Sequence, residues 1–188
     1  MKKIRRYIFE TNSSSSHSLA FSKKNRGYSY ELPVDEDGVL TIPFGEFGWG
    51  PDVLKTPIDK LSYYVTDNYM DDIDADKDWE DVVEELKEKD WVRELIDMIK
   101  TNCPYVKEVT FEKSDSYDPF GYVDHQSCGT SHEDDISAEE LIFSNDVIII
   151  IDNDNSCHFD DYFPWSWGSE VAAEKDIEEL FDEENTND

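Results

Sequence analysis

Five consecutive β-branched residues, Val147-Ile148-Ile149-Ile150-Ile151, constrain the fold of this chain more than any other feature. Branching at Cβ stiffens a side chain against a helix and suits it to a pleated strand. Side chains alternate between the two faces of a strand, so an unbroken apolar run must be covered on both. The run predicts a central strand with packing on two sides, and it is far too short to cross a bilayer. Around it the order is strands, then helices, then strands again. That order predicts an α+β domain, with a mixed or antiparallel sheet packed against two to three helices.

Ile4 to Phe9 reads as a first strand and Leu19 to Phe21 as a short second one. Tyr28 to Pro33 and Val39 to Pro43 flank Val34-Asp35-Glu36-Asp37-Gly38, whose Asp-Gly supplies a positive φ, so a β-hairpin is expected near the N-terminus. Thr56-Pro57 has the form of an N-cap followed by proline at the first helical position. The helix is expected to run to about Met70, with Ile58, Leu61, Tyr64, Val65 and Tyr69 on one face. Asp78 is placed to cap a second helix from Trp79 that buries Val82, Val83 and Leu86. The apolar phase breaks at Glu88-Lys89-Asp90 and resumes through Val92, Leu95, Ile96 and Ile99, which predicts a kink or a further helix ending before Pro104. Tyr105 to Lys113 alternates as a partly buried strand. Ser137 with Glu140 forms a capping-box pattern opening a short helix to about Phe143. Residues 1–168 read as one α+β domain, and residues 169–188 as an acidic C-terminal segment, helical over Ala172 to Phe181 and then frayed.

Charge decides which partners such a domain can take. The chain carries 17 Lys+Arg against 46 Asp+Glu, a formal net charge of −29. Residues 1–26 hold seven Lys/Arg and one Glu, a head of +6, which leaves −35 for the body. A surface of this kind repels nucleic acid and anionic membranes, so no direct nucleic-acid binding and no membrane association are expected. Aromatic residues make up 13% of the chain, which argues against wholesale disorder despite the charge. Three cysteines, Cys103, Cys128 and Cys157, are too few for a disulfide framework, and no signal-peptide pattern follows the basic start. The expected location is cytoplasmic.

The run Thr11-Asn12-Ser13-Ser14-Ser15-Ser16-His17-Ser18 follows the first expected strand, with Arg5 upstream. Hydroxyls and loop amides from Ser13, Ser14, Ser15 and Ser16 can cradle a phosphate, Arg5 can grip it, and His17 can move a proton, with His125 or Asp152 facing them. The run lacks the glycines and lysine of a P-loop. The same opening, Phe9-Glu10-Thr11-Asn12-Ser13-Ser14-Ser15-Ser16-His17-Ser18, resembles that of a family of small proteins from phages and mobile elements of Gram-positive bacteria. The resemblance covers roughly the first 20 residues. It implies a phage protein, and specifically a type II-A anti-CRISPR, an inhibitor of Cas9 acting inside the host bacterial cell.

Metal chemistry finds little support. Cys128, His132, Cys157 and His158 are zinc-type donors, but adjacent Cys157-His158 point opposite ways on an extended segment and no Cys-x-x-Cys knuckle accompanies them. Asp152 and Asp154 begin like a calcium loop, yet Cys157 and Phe163 stand where glycine and glutamate belong. They remain the one weak alternative for a divalent ion, and no cofactor is expected.

Acid spacing is more informative. Glu80, Glu84 and Glu88 recur at four-residue intervals, Asp81 and Glu85 form an adjacent stripe, and Asp72, Asp74 and Asp76 extend the track upstream. Four residues of helix advance about 6 Å. Solvated helix faces ordinarily mix signs, whereas this one is nearly all acid. The aromatic loops, with Phe44, Phe47 and Trp49 in one and Phe159 to Trp167 in the other, either complete the core or supply apolar anchors beside the acidic surface, Trp49 being the anchor expected.

Two functional readings follow. The first is an acidic DNA mimic that binds a basic nucleic-acid-binding protein, Cas9 with its guide RNA, whose channel and base-reading arginines await a polyanion. No catalytic residue belongs to that reading, and self-association as a homodimer is compatible with it. The alternative is a phosphate-handling enzyme, a phosphoesterase or nuclease, built on the serine run with His17 and His125.

Overall fold

The structure, a computed structural model, describes residues 15–22, 24–48, 52–69, 73, 77–123, 136–153, 179 and 181–182. In chain order the elements are β1 (Ser15–Phe21), β2 (Val39–Pro43), β3 (Glu46–Phe47), β4 (Asp52–Leu54), α1 (Pro57–Asn68), α2 (Trp79–Lys87), α3 (Asp90–Asn102), β5 (Glu108–Glu112), β6 (Tyr122–Val123), α4 (Ala138–Phe143) and β7 (Val147–Asn153). The class is α+β, as the order of patterns implies. The strand expected over Ile4 to Phe9 lies outside the described residues.

The β-branched run is central, as its chemistry requires. β7 lies between β1 and β4 and pairs antiparallel with both. All five residues from Val147 to Ile151 are buried. Val147, Ile149 and Ile151 join Leu54, Tyr63 and Leu141 in one apolar cluster, with Leu19 and Phe21 of β1 against them. Ile148 and Ile150, on the other face by alternation, are also buried.

A second, larger cluster gathers Leu40 and Ile42 of β2, Val109 and Phe111 of β5, Leu61 and Val65 of α1, and the inward residues of α2 and α3. Val82, Val83, Leu86, Val92, Leu95 and Ile99 are all buried, which is the periodicity read from the sequence. The break at 88–90 separates two helices, α2 and α3, and α3 ends at Asn102 before Pro104. Ile73, inside the acidic stretch between α1 and α2, is buried in the same cluster.

Local capping signals act largely as written. Thr56 accepts a hydrogen bond from the Asp59 N–H (3.3 Å), and Pro57 fills the first helical position. Removing the hydroxyl in Thr56→Ala is expected to cost about 1 kcal/mol, read as a lower urea midpoint at unchanged slope. Ser137 accepts from the Glu140 N–H at 3.1 Å and opens α4. Asp78 occupies the N-cap position of α2, but its exposed side chain makes no cap hydrogen bond. α1 stops at Asn68 because Tyr69 turns extended, which lays its ring on Phe120 at a centroid distance of 4.0 Å.

The expected hairpin is replaced by a different pairing. Its turn forms, with the Gly38 N–H bonded to the Asp35 carbonyl (3.0 Å) and Gly38 at φ 84°. β2 nevertheless pairs in parallel with β5, Val39 opposite Glu108 through Pro43 opposite Glu112. The backbone of the preceding segment is committed elsewhere. The Ser29 N–H donates to the Phe143 carbonyl (2.8 Å), and the Tyr105 hydroxyl bridges the Tyr30 carbonyl and the Leu32 N–H, both at 2.6 Å. Residues 28–32 thus strap the end of α4 to the turn after α3 instead of pairing with β2.

Candidate functional site

The acidic helix is positioned by its first residue. The Trp79 indole N–H donates to the Phe111 carbonyl at 2.9 Å, and its ring packs against Phe44 and Phe120. Val82, Val83 and Leu86 hold one side of α2 in the core, so the remaining side must face outward. There Glu80, Asp81, Glu84 and Glu88 are exposed and Glu85 is half-buried. Lysines and arginine do not neutralise this face evenly. Lys77 pairs with Glu85 at 2.5 Å, and Arg93 bridges Asp90 at 2.6 Å and Glu88 at 3.5 Å. Glu80, Asp81 and Glu84 have no ion-pair partner among the described residues. The acidic stripe read from the sequence is therefore a real face, with its free charge concentrated in the first half of α2. Like charges four residues apart cost an isolated helix a few tenths of a kcal/mol per pair. Helix-dipole attraction for acids in the first turn offsets part of that for Glu80 and Asp81.

Asp72, Asp74, Asp76 and Trp49 lie outside the described residues, as do Arg5, Ser13, Ser14, His125 and Asp154 and the zinc-type donors Cys128, His132, Cys157 and His158. Among the described residues no group of three metal-type donors converges. Of the aromatic loop residues, Phe44 is buried in the larger cluster and Phe47 packs edge-on against Tyr63 at 5.2 Å, so both complete the core.

The serine run divides. Ser15, Ser16, His17 and Ser18 belong to β1 rather than to a loop, so any loop cradle must end before Ser15. In the β1–β7 register Ser16 stands opposite Asp152, and His17 opposite Ile151. The polar end of the run and the first acid after the apolar strand therefore meet at one end of the sheet, although Ser16 and Asp152 are 136 positions apart in the numbering.

Part of the basic head is occupied. Asp182 accepts from Lys24 Nζ at 2.7 Å and pairs with Arg26 at 2.8 Å, and the Arg26 guanidinium lies 5.3 Å over the Phe181 ring. Hydrogen bonds from Lys24 and then Arg26 hold the Asp182 carboxyl below the usual carboxylate range.

One charged residue escaped sequence reasoning altogether. Lys60 is 1% exposed, and its ammonium donates to the Ser144 carbonyl at 2.9 Å, at the C-terminal end of α4. Burial pushes its pKa down to about 8. α1 is packed on more than one side: Leu61 and Val65 join the larger cluster and Tyr63 the smaller, while Tyr64 touches both. A one-faced helical projection leaves Lys60 in solvent; the second packed side draws it in. Among the described residues, no helix is long and apolar enough to cross a membrane. No protein-family model, no curated protein and no solved structure matches the chain.

Proposed function

We propose that this is a phage-type inhibitor that presents an acidic surface in place of DNA to a basic nucleic-acid-binding protein, with Cas9 carrying its guide RNA as the target in the bacterial cytoplasm. The observation that carries the reading is the first half of α2, where Glu80, Asp81 and Glu84 are exposed together on a helix held rigidly by Trp79. Carboxylates repeating about every 6 Å along a fixed axis suit a row of arginines that would otherwise grip phosphates. A preorganised row loses little entropy on binding. The opening Phe9 to Ser18, with its resemblance to phage and mobile-element proteins, supplies the choice of target.

The test is binding of the purified chain to a Cas9–guide RNA complex at low and high salt. Binding is expected at low salt and is expected to weaken as salt rises, because exposed charges are screened within about 10 Å at 0.1 M. Reversing Glu80, Glu84 and Glu88 to lysine together is expected to weaken binding at least tenfold at low salt, chiefly through slower association. No binding at low salt would sink the reading; unchanged binding of the triple variant would remove α2 from it.

The β1–β7 register bears on a second reading, a phosphate-handling enzyme, only in setting Ser16 opposite Asp152; His17 is opposite Ile151, on the alternate face of the strand. His17→Ala separates the two. It is expected to abolish hydrolysis of a phosphodiester substrate in an enzyme and to leave an acidic decoy's binding intact.

A further inference from the structure

The loop between β5 and β6 is short, cross-braced by hydrogen bonds, and carries a fully exposed aromatic residue near its middle. Tyr117 is fully exposed, the most exposed large hydrophobic side chain among the described residues. Its loop is not a slack spacer. The Ser114 N–H donates to the Pro119 carbonyl at 2.8 Å, the Ser116 hydroxyl to the Asp118 carbonyl at 2.7 Å, and the Phe120 N–H to the Asp118 carboxylate at 3.0 Å. Both ends are set in the interior, with Ser114 and Phe120 buried. Phe120 packs on Trp79 at 5.6 Å, and Trp79 opens α2. The loop and the uncompensated acids of α2 therefore spring from one anchor, and Asp115 and Asp118, both exposed, flank the ring with further negative charge.

We propose that Tyr117 is the aromatic anchor of a docking surface, completed by Asp115, Asp118 and the first half of α2, for a basic protein that offers a pocket rimmed by arginine or lysine. The inference rests on the reading of the acidic face as a partner surface and adds the group that holds the partner once charge has brought it in. A phenol ring displayed on a braced loop buries large area at small entropic cost. Cationic groups at a pocket rim attract both the flanking carboxylates and the ring face. Carboxylates alone give fast but salt-sensitive association, whereas a central aromatic anchor slows dissociation.

Association and dissociation rates on an immobilised Cas9–guide RNA complex, at two salt concentrations, test this with Tyr117→Ala, Tyr117→Phe and the triple reversal E80K/E84K/E88K. Tyr117→Ala is expected to dissociate about tenfold faster at both salt concentrations with association little changed, and Tyr117→Phe to stay near the parent. Its urea midpoint is expected to match the parent, since the ring packs on nothing. If the parent binds and the triple reversal weakens it while Tyr117→Ala dissociates at the parent rate, the anchor is overturned and the acidic face stands. If the parent fails to bind at low salt, the acidic-face reading is overturned and the anchor with it.

Discussion

Replacing Gly121 by alanine is expected to destabilise the protein by roughly 3–5 kcal/mol, among the largest effects a single methyl group can have. Two separate costs combine. Gly121 sits at φ 63°, where a side chain costs about 1–2 kcal/mol. A Cβ there would also stand 1.9 Å from the Gly45 carbonyl oxygen and 2.7 Å from its carbon. That oxygen cannot retreat freely, because it accepts the Tyr122 N–H at 3.0 Å, the start of the β3–β6 pairing. Gly45 is tied in turn to α1, its N–H donating to the Thr66 hydroxyl at 3.1 Å while that hydroxyl donates to the Ser62 carbonyl at 2.8 Å. Relieving the clash means moving either a helix or a strand pair. Gly27→Ala isolates the conformational cost alone, since Gly27 has φ 74° and a Cβ would meet nothing within 4 Å. It is expected to lose only about 1 kcal/mol. Urea unfolding followed by tryptophan fluorescence reads both; equal midpoints for the two variants would refute the steric account.

Lys60→Met is expected to stabilise the protein at pH 7 by up to roughly 1.5 kcal/mol. A pKa lowered from 10.5 to about 8 corresponds to a burial cost of about 3 kcal/mol for the charged form. Against it stands the lost hydrogen bond to the Ser144 carbonyl, about 1.5–3 kcal/mol for a charged donor. That carbonyl keeps the Val147 N–H, at 3.4 Å, so it is not left bare. The advantage of the variant has a definite pH dependence. Below about pH 8 the folded and unfolded parent both carry the proton, and the folded state bears the full cost. Between about 8 and 10.5 the unfolded chain holds a proton that the folded chain has released, so Lys60 makes the parent more stable as pH rises. Burial raises the pKa values of Tyr64, Tyr30 and Tyr105 and works in the opposite direction at alkaline pH. These tyrosines are common to parent and variant and cancel in the difference. Urea midpoints at pH 7 and pH 10 are therefore expected to show a gap that narrows at the higher pH. A constant gap would mean that Lys60 is not the group titrating.

What the sequence makes legible here is chiefly what is settled locally. Thr56 and Ser137 cap their helices because an oxygen three residues from an orphan N–H needs no tertiary help. Val147 to Ile151 announces a covered strand because alternation leaves it no other low-cost place. The partner of β2 is a different kind of fact. Leu40 and Ile42 alternate properly for any neighbour, and only the strap through Tyr105 and Phe143 decides that the neighbour is β5. Spacing displayed the acids of α2, but not which of them are compensated. Lys77 and Arg93 reach Glu85 and Glu88 from outside the helix, which moves the free charge to Glu80, Asp81 and Glu84. Tyr117 left no mark in the pattern at all, since an aromatic residue in a loop reads as core completion until both loop ends are seen to be fixed.

The placement of β7 governs the order in which the molecule can be made. Phe21 pairs with Val147 and Leu54 with Ile149, so neither β1 nor β4 has a partner in the sheet until the chain has been synthesised past residue 147. Most of the larger cluster, by contrast, is in hand once β5 ends at Glu112. Pairings this distant in sequence are slow to close, and apolar groups that await them are exposed to misassembly meanwhile. Leu19, Phe21, Leu54 and Tyr63 are those groups here. Synthesis thus proceeds in two instalments: an acidic helical half that condenses early, and a sheet that remains open until its middle strand emerges.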